Sequence, residues 1–236
     1  MDTWSVEGLL KEVASANPPY HALIDIGALI TGLSNEEVAR YLLRVGLKGM
    51  QGVVYLDDMD RKMIILRDNP KPIPLTQCGV PLHERFTFYD QVHTTGTDIK
   101  QTLTAKAAVT LGKDMTLRDY TQGCWRMRGL GVGQTLHVLI VPEVKELIDE
   151  AALLLPSTPQ LPEKICAWLS INSMRSERLQ FLQLCSQNLE GIWRKKAFRM
   201  LTASNTPSHD DTKGVGLASR FWSALDVNSI NRGKLR

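Results

Sequence analysis

Short apolar runs alternate with helix-like stretches between residues 21 and 142, and this alternation constrains the fold more than any other feature of the sequence. The runs expected to form strands lie at residues 22–30, 52–56, 86–90, 105–112 and 135–141. Such alternation is typical of an α/β layer fold with a mostly parallel sheet. The pattern therefore predicts one mostly parallel sheet flanked by helices, with residues 62–66 pairing back as a hairpin partner of residues 52–56.

Helix boundaries are marked by capping residues. Ser34 and Glu37 stand three positions apart and form the capping-box pattern of a helix start. Gly46 is a plausible end for that helix. Thr116 is expected to cap a second helix, and Pro142 to begin a third.

These signals divide the chain into four parts. Residues 1–20 are expected to form a helical lead-in, and residues 21–142 the sheet domain. Residues 143–201 are expected to form a helical extension. Residues 202–236 are rich in small and polar residues and are expected to form a flexible tail.

Charge is distributed unevenly along the chain. Residues 1–160 carry 16 Lys and Arg against 19 Asp and Glu, whereas residues 161–236 carry 12 against 6. The basic C-terminal third could attract phosphates or an acidic partner. A solvated helix face followed by a flexible tail explains the same charge, and we favour that explanation.

Composition excludes several classes of protein. No apolar run approaches the length of a membrane span, and the acidic N-terminal stretch does not resemble a signal peptide. We therefore expect a cytoplasmic or nuclear protein with no membrane contact. The four cysteines have no CxxC spacing, so neither a disulfide framework nor a metal site is expected.

One candidate binding loop follows the expected strand at residues 86–90. Thr95, Gly96, Thr97 and Asp98 stand where open α/β sheets bind ligands, at the carboxyl end of a strand. Gly96 permits a close approach of the backbone that a Cβ would prevent. A plain turn with a capping aspartate explains the loop nearly as well.

A second candidate segment spans residues 122–134, where a helix is followed by a glycine-rich turn and a strand. Arg126 and Arg128 stand near the end of that helix. Arginines in such a place can contact phosphate oxygens in pairs and stabilise the charge of a transferring phosphoryl group. Surface arginines beside a helix C-terminus are an equally good explanation.

Together the two segments resemble the second RecA-like domain of superfamily-2 helicases and translocases, closest in pattern to the SecA type. Residues 95–99, Thr-Gly-Thr-Asp-Ile, match the core of that family's motif V. Gln122 and Arg126 match the first and fifth positions of motif VI, with Trp125 in place of a glycine. Arg128 stands one residue short of the motif's second arginine.

The resemblance implies a RecA-like fold and a role for each of these residues. Arg126, and less closely Arg128, would be the catalytic arginines that reach the γ-phosphate across a domain interface. Gly96, Thr97, Asp98 and Gln122 would lie on the nucleotide-binding side. The residues that match the motifs therefore imply, through this resemblance, a phosphate-sensing half domain.

Longer motifs across most of residues 20–145 resemble the C-terminal part of very large eukaryotic proteins. These motifs are LIDIGALITG, GVVYLDDMDRKMI, FYDQVHTTGTDIK and LGKDMTLRDYTQG. Those proteins are built of adjoining domains of unknown function and are often labelled ubiquitin thioesterases, or ubiquitinyl hydrolases. The resemblance implies a fragment of a large chain, a ubiquitin-pathway hydrolase label, and ubiquitin or nucleic acid as possible partners.

A thiol hydrolase needs a cysteine activated by a histidine that a third polar group orients. The candidates are Cys78 or Cys124 with His83 or His93, and with Asp90 or Asp98 as the orienting group. Of these, Cys78 and His83 stand closest in one loop. Incidental or structural cysteines are the favoured explanation at both cysteine positions.

No phosphate-binding loop of the Walker type is recognised. The nearest stretch, residues 129–135, lacks the lysine and lies between a helix and a strand instead of the reverse. ATP and Mg²⁺ are therefore expected only if an upstream RecA-like domain supplies their site. We expect the chain alone to hydrolyse neither ATP nor ubiquitin chains.

Three functions remain open from the sequence. The preferred one is the phosphate-sensing half of a helicase-like ATPase module, and the alternatives are a ubiquitin thiol hydrolase and a catalytically dead RecA-like interaction module. The preferred function requires residues 95–98 and Arg126 to lie at the same edge of the sheet. It also leads us to expect a partly exposed Arg126 that is not paired with a buried carboxylate.

Overall fold

A computed structural model of the chain describes residues 4–154 and 159–203. Its backbone contacts divide the chain into two units, Met1–Arg175 and Ser176–Arg236. The first unit contains one seven-stranded sheet with helices on both of its faces. The second unit contains the C-terminal part of one long helix, within the residues that are described.

The sheet is mostly parallel. Its strands are β1 (Ala22–Ile24), β2 (Gly52–Leu56), β3 (Lys62–Leu66), β4 (Ile73–Pro74), β5 (Arg85–Tyr89), β6 (Lys106–Thr110) and β7 (Thr135–Leu139). They lie in the order β4-β3-β2-β5-β1-β6-β7. The five strands from β2 to β7 in that order pair in parallel, whereas β3 and β4 pair in antiparallel fashion. The predicted RecA-like α/β sheet and the hairpin at residues 62–66 are confirmed.

Five α-helices accompany the strands in the described residues. They are α1 (Val6–Ser15), α2 (Asn35–Val45), α3 (Leu117–Cys124), α4 (Pro142–Ala152) and α5 (Leu161–Ala203). Short 3₁₀ turns occupy Leu75–Gln77, Leu82–Glu84 and Val92–Thr94. The predicted caps are confirmed, since Ser34 and Thr116 both begin helices through capping boxes and Pro142 opens α4.

The core has two halves because successive strand residues point to opposite faces of a sheet. Val53 and Phe86 pack with α1 and α2 on one face. Val54 and Tyr89 face the other way, toward α3, α4 and the first turns of α5. The helices thus cover both faces, which leaves the loops at the strand ends as the exposed part of the sheet domain.

The first strand is shorter than the sequence suggests. It was expected to continue through residue 30, and it ends at Ile24. The buried carboxylate of Asp25 accepts hydrogen bonds from the backbone N–H groups of Leu29 and Ile30 at 3.0 and 2.9 Å. These bonds fold the chain back on itself, so the apolar run after Asp25 forms a loop.

The C-terminal expectations are only partly covered by the described residues. Within residues 143–201, α4 and α5 form the expected helices, and α5 continues to Ala203. The expected tail at 202–236 lies outside the described residues from 204 onward. Among the helices described, none has the length and apolar character that crossing a bilayer requires.

Candidate functional site

Three neighbouring strands end in an aspartate at the carboxyl edge of the sheet. Asp57 follows β2, Asp90 follows β5 and Asp25 follows β1, and these strands are adjacent in that order. The carboxyl ends of the strands are where open α/β sheets bind ligands. This edge is therefore the place to look for a functional site.

Backbone contact closes one crevice at this edge. The chain leaves β1 toward α2 on one face and leaves β6 toward α3 on the other, the arrangement that opens a ligand crevice in such folds. Here Gly27 and Gly112 approach so closely that a Cβ on Gly27 would lie 2.6 Å from the Gly112 nitrogen. The polar groups gather instead around the loop that follows β5.

That loop, residues 90–99, is anchored at its far end by a buried tyrosine. The backbone N–H of Ile99 donates to the Tyr89 hydroxyl at 2.9 Å, and the hydroxyl lies 3.4 Å from the Ile99 carbonyl oxygen. Burial raises the pKa of Tyr89 to about 12, so the hydroxyl keeps its proton. Gly96 turns the loop with a φ of 79°, a left-handed conformation that favours glycine.

Three basic side chains converge on the segment that follows Gly96. Arg126 Nη1 donates to the Thr97 carbonyl and to Asp98 Oδ1, both at 2.7 Å. Arg128 donates to Asp98 Oδ2 from Nε at 3.0 Å and from Nη2 at 2.6 Å. Lys62 Nζ, from β3, donates to the Asp98 carbonyl at 2.5 Å. We call Lys62, Thr97, Asp98, Arg126 and Arg128 the arginine site.

The expectations for the arginine site are met in position and not in exposure. Residues 95–98 and Arg126 do lie at the same edge, joined by direct hydrogen bonds. The expectation of a partly exposed, unpaired Arg126 is wrong, because Arg126 is only 8% exposed and forms an ion pair with Asp98. Arg126 stands between buried Cys124 and Met127 just beyond α3, so its side chain enters the packed layer.

Arg128 differs from Arg126 in its surroundings. Its side chain is 50% exposed, and its guanidinium lies 5.8 Å from the centre of the exposed Trp125 ring. Such an arginine can leave Asp98 for another anion without opening the core. With the exposed Lys62, it is an accessible cation of the arginine site.

The arginine site keeps an excess of positive charge. Lys62, Arg126 and Arg128 face one carboxylate, so three positive charges against one negative leave two positive. The hydrogen bonds from Arg128, with the nearby charge of Arg126, hold the pKa of Asp98 below its usual range. The Nε–H of Arg126 is buried and meets no acceptor among the described residues.

The remaining residues of the resemblance fall around this site. Gly96 is exposed, with no neighbouring atom within 4 Å of an added Cβ. Gln122 is exposed on α3, and no hydrogen bond joins it to the arginine site within residues 4–154. Thr97 takes part through its backbone carbonyl alone.

A histidine between two carboxylates borders the same loop. His93 Nδ1 lies 2.5 Å from Asp90 Oδ1, and His93 Nε2 lies 2.8 Å from Asp60 Oδ1. We call these three residues the His93 clamp. Burial acts to lower the pKa of His93, but the bonds to Asp60 and Asp90 outweigh it and raise that pKa above its usual value. The sequence placed His93 with Asp90 among the thiol-hydrolase candidates, and it gave no sign of Asp60.

The cysteine candidates are not arranged for nucleophilic catalysis. Cys78 Sγ accepts from the Val80 N–H at 3.4 Å, while His83 pairs with Glu84 at 3.4 Å on the exposed side of its loop. Burial raises the pKa of the Cys124 thiol to about 12, which keeps it protonated. Among the residues described, no hydrogen bond joins a cysteine to a histidine, and no group of three or more His, Cys, Asp or Glu could hold a metal.

Comparison with protein-family models, with curated proteins and with solved structures gives no match to this chain.

Proposed function

We propose that this chain is the phosphate-sensing second half of a helicase-like ATPase module, completed by an upstream RecA-like domain of a larger protein. The observation that carries the proposal is the convergence of Lys62, Arg126 and Arg128 on residues 97–98 at the carboxyl edge. The resemblance assigns the same two segments to nucleotide sensing. Alone, the chain would turn over neither ATP nor ubiquitin chains.

The two arginines have different tasks in this proposal. Arg126 is held inside and fixes the loop through the Thr97 carbonyl and the Asp98 carboxylate. Arg128 is exposed, and an exposed ion pair such as Arg128–Asp98 contributes only about 0–1 kcal/mol. A phosphate group carries more negative charge than a carboxylate and accepts two N–H bonds from one guanidinium. It can therefore take Arg128 from Asp98 at small cost.

The described residues fit a phosphate and do not fit a magnesium ion. The arginine site offers guanidinium and ammonium donors with two uncompensated positive charges. Its single carboxylate is already bonded to both arginines. The Mg²⁺ and the base and sugar of the nucleotide would be held by the upstream domain.

Pyrophosphate binding to the chain tests the proposal. We expect weak binding by titration calorimetry, lowered about tenfold by Arg128→Ala because a charge-assisted pair of hydrogen bonds is lost. Arg118→Ala is the matched control, since Arg118 is an exposed arginine on the same α3 helix and lies outside the arginine site. The control is expected to bind like the unaltered chain.

A chain that binds no pyrophosphate, or that loses it equally with both substitutions, would refute phosphate sensing. The second candidate would then lead, a catalytically dead RecA-like interaction module. The burial of Arg126 and its pairing with Asp98 favour that candidate, because a structural arginine is consumed in this way. In either case we place the chain in the cytoplasm or nucleus, within a large protein that carries a ubiquitin-pathway label.

A further inference from the structure

The His93 clamp joins two segments that are distant in sequence. Asp60 stands at the tip of the β2–β3 hairpin, and Asp90 and His93 begin the loop that leads to Gly96 and Asp98. A neutral imidazole has one N–H and can donate to one carboxylate only, whereas an imidazolium donates from both ring nitrogens. Both nitrogens of His93 face carboxylate oxygens within 2.8 Å, so the clamp is complete only when His93 is protonated.

The hairpin tip is held by hydrogen bonds of its own, apart from the bond to His93. The Asp57 carboxylate accepts from the Met59 and Arg61 N–H groups at 3.0 and 2.9 Å, and Arg61 Nε donates to it at 2.7 Å. Asp60 itself has a φ of 57°, which turns the tip sharply. The hairpin therefore presents Asp60 from a defined turn.

The same hairpin contacts the arginine site at a second point. Lys62 stands on β3, two residues beyond Asp60 in the sequence, and donates to the Asp98 carbonyl. The hairpin thus holds both ends of the segment between His93 and Asp98. Only the short segment between His93 and Asp98 separates the two contacts.

We propose that His93 is a positioning residue for the arginine site: as an imidazolium between Asp60 and Asp90 it fixes residues 94–98, and its loss of a proton releases them. This inference rests on the proposed function only in taking phosphate as the ligand of the arginine site. The ordering of residues 94–98 is a property of the chain itself. In the part of the chain that the structure describes, no hydrogen bond or ion pair joins His93 to Asp98 or to the arginines, so in this proposal His93 acts through the segment between them.

The charged groups around His93 favour the release of residues 94–98 once the imidazolium has lost its proton. Asp60 faces it from the hairpin and Asp90 from its own loop, and the pKa of Asp25, after β1, is raised by burial and by the charge of Asp90. When the imidazolium loses its proton, only one of its two carboxylate bonds can remain. The carboxylates of Asp60 and Asp90 then lack the cation that stood between them, and like charges favour separation.

Amide hydrogen exchange of Thr94 and Ile99 tests the clamp directly, because their N–H groups are bonded within the loop, to the Gln91 carbonyl at 3.4 Å and to the Tyr89 hydroxyl at 2.9 Å. Protection factors, corrected for intrinsic exchange, are measured at about pH 6, below the ordinary histidine pKa, and at about pH 9, well above it. We expect protection in the unaltered chain to fall about tenfold at the higher pH, with residues 52–56 unchanged. His93→Gln is expected to be low at both pH values, and the matched control His137→Gln, an exposed histidine on β7, to behave like the unaltered chain.

Equal protection of Thr94 and Ile99 at the two pH values in the unaltered chain would overturn the proposal. An NMR titration of the unaltered chain that puts the His93 pKa below the ordinary histidine value would do so as well, and it needs no variant that must fold. Pyrophosphate titrations at both pH values separate the two proposals. If pyrophosphate does not bind and protection of the loop depends on pH, phosphate sensing is refuted and the clamp stands. If pyrophosphate binds and protection of the loop does not depend on pH, only the clamp is refuted.

Discussion

The arginine site and the Cys78–His83 segment were both candidate sites in the sequence, and their structures differ sharply. In the arginine site, Asp98 and Arg126 are 28 residues apart in the sequence, and Asp98 Oδ1 lies 2.7 Å from Arg126 Nη1. Cys78 and His83 share one loop, yet their hydrogen bonds go to other partners nearby, Val80 and Glu84. Closeness in sequence did not join Cys78 to His83, whereas position at the carboxyl edge of a parallel sheet brought Asp98 and Arg126 together.

The largest expected difference between the two regions concerns stability. Arg126→Ala removes a buried guanidinium whose hydrogen bonds hold the Thr97 carbonyl and the Asp98 carboxylate, so we expect the free energy of unfolding to fall by about 2 kcal/mol. Arg118→Ala, on exposed α3 surface, is expected to stay within about 0.5 kcal/mol. Urea denaturation followed by circular dichroism measures both, and equal effects would show that Arg126 does not hold the loop.

Two glycines sharpen the same comparison. Gly96 has a φ of 79°, so Gly96→Ala is strained and should cost about 1 kcal/mol despite the open space around it. Gly79, in the Cys78–His83 segment, has equal space and no left-handed φ. Gly79→Ala should be neutral or stabilise by about 0.5 kcal/mol through the unfolded state. A Gly96→Ala chain as stable as the Gly79→Ala chain would contradict a fixed turn at residues 95–98.

The pH dependence of stability should be a smaller effect and should arise at the His93 clamp. The pKa of His93 is raised in the folded state, so its contribution is complete below the ordinary histidine pKa and is lost as the pH rises through the folded-state pKa. The unaltered chain is therefore expected to lose stability over that interval, relative to His93→Gln. Parallel stability curves for the two chains across neutral to mildly basic pH would contradict this.

No reaction with a ubiquitin-derived electrophile is expected at the cysteines. A ubiquitin that carries a C-terminal electrophile should form no adduct with Cys78 or Cys124, because neither has a histidine partner within the described residues. The Cys124 thiol, with a pKa of about 12, is also almost wholly protonated near neutral pH. Intact-mass spectrometry detects an adduct, and one that disappears with Cys78→Ser would restore the thiol-hydrolase candidate.

Much of the fold could be predicted because apolar runs and helix-capping residues are local features of the sequence. The parallel strands and the capping box at Ser34 were predicted in this way. The end of β1 was missed because the apolar run continues, and the turn depends on bonds that the buried Asp25 makes with Leu29 and Ile30. A hydropathy pattern does not contain those bonds.

The site was predictable only to the level of its location. The motif residues indicated that residues 95–98 and Arg126 meet, and they do. The burial of Arg126 depends on how α3 ends against the core, and the pairing of Asp60 with His93 depends on a hairpin tip reaching a loop 33 residues away. Such contacts arise from tertiary packing, so the sequence shows only one partner of each pair.

The most direct test of an anion-responsive arginine site is a double-mutant cycle on pyrophosphate affinity with Asp98→Asn and Arg128→Ala. If Asp98 occupies Arg128 in place of a phosphate, removal of its charge should strengthen binding about tenfold when Arg128 is present. The same substitution should give far less in the Arg128→Ala chain, where there is no guanidinium to release. An equal gain in both backgrounds, or no gain in either, would contradict competition between Asp98 and phosphate for Arg128.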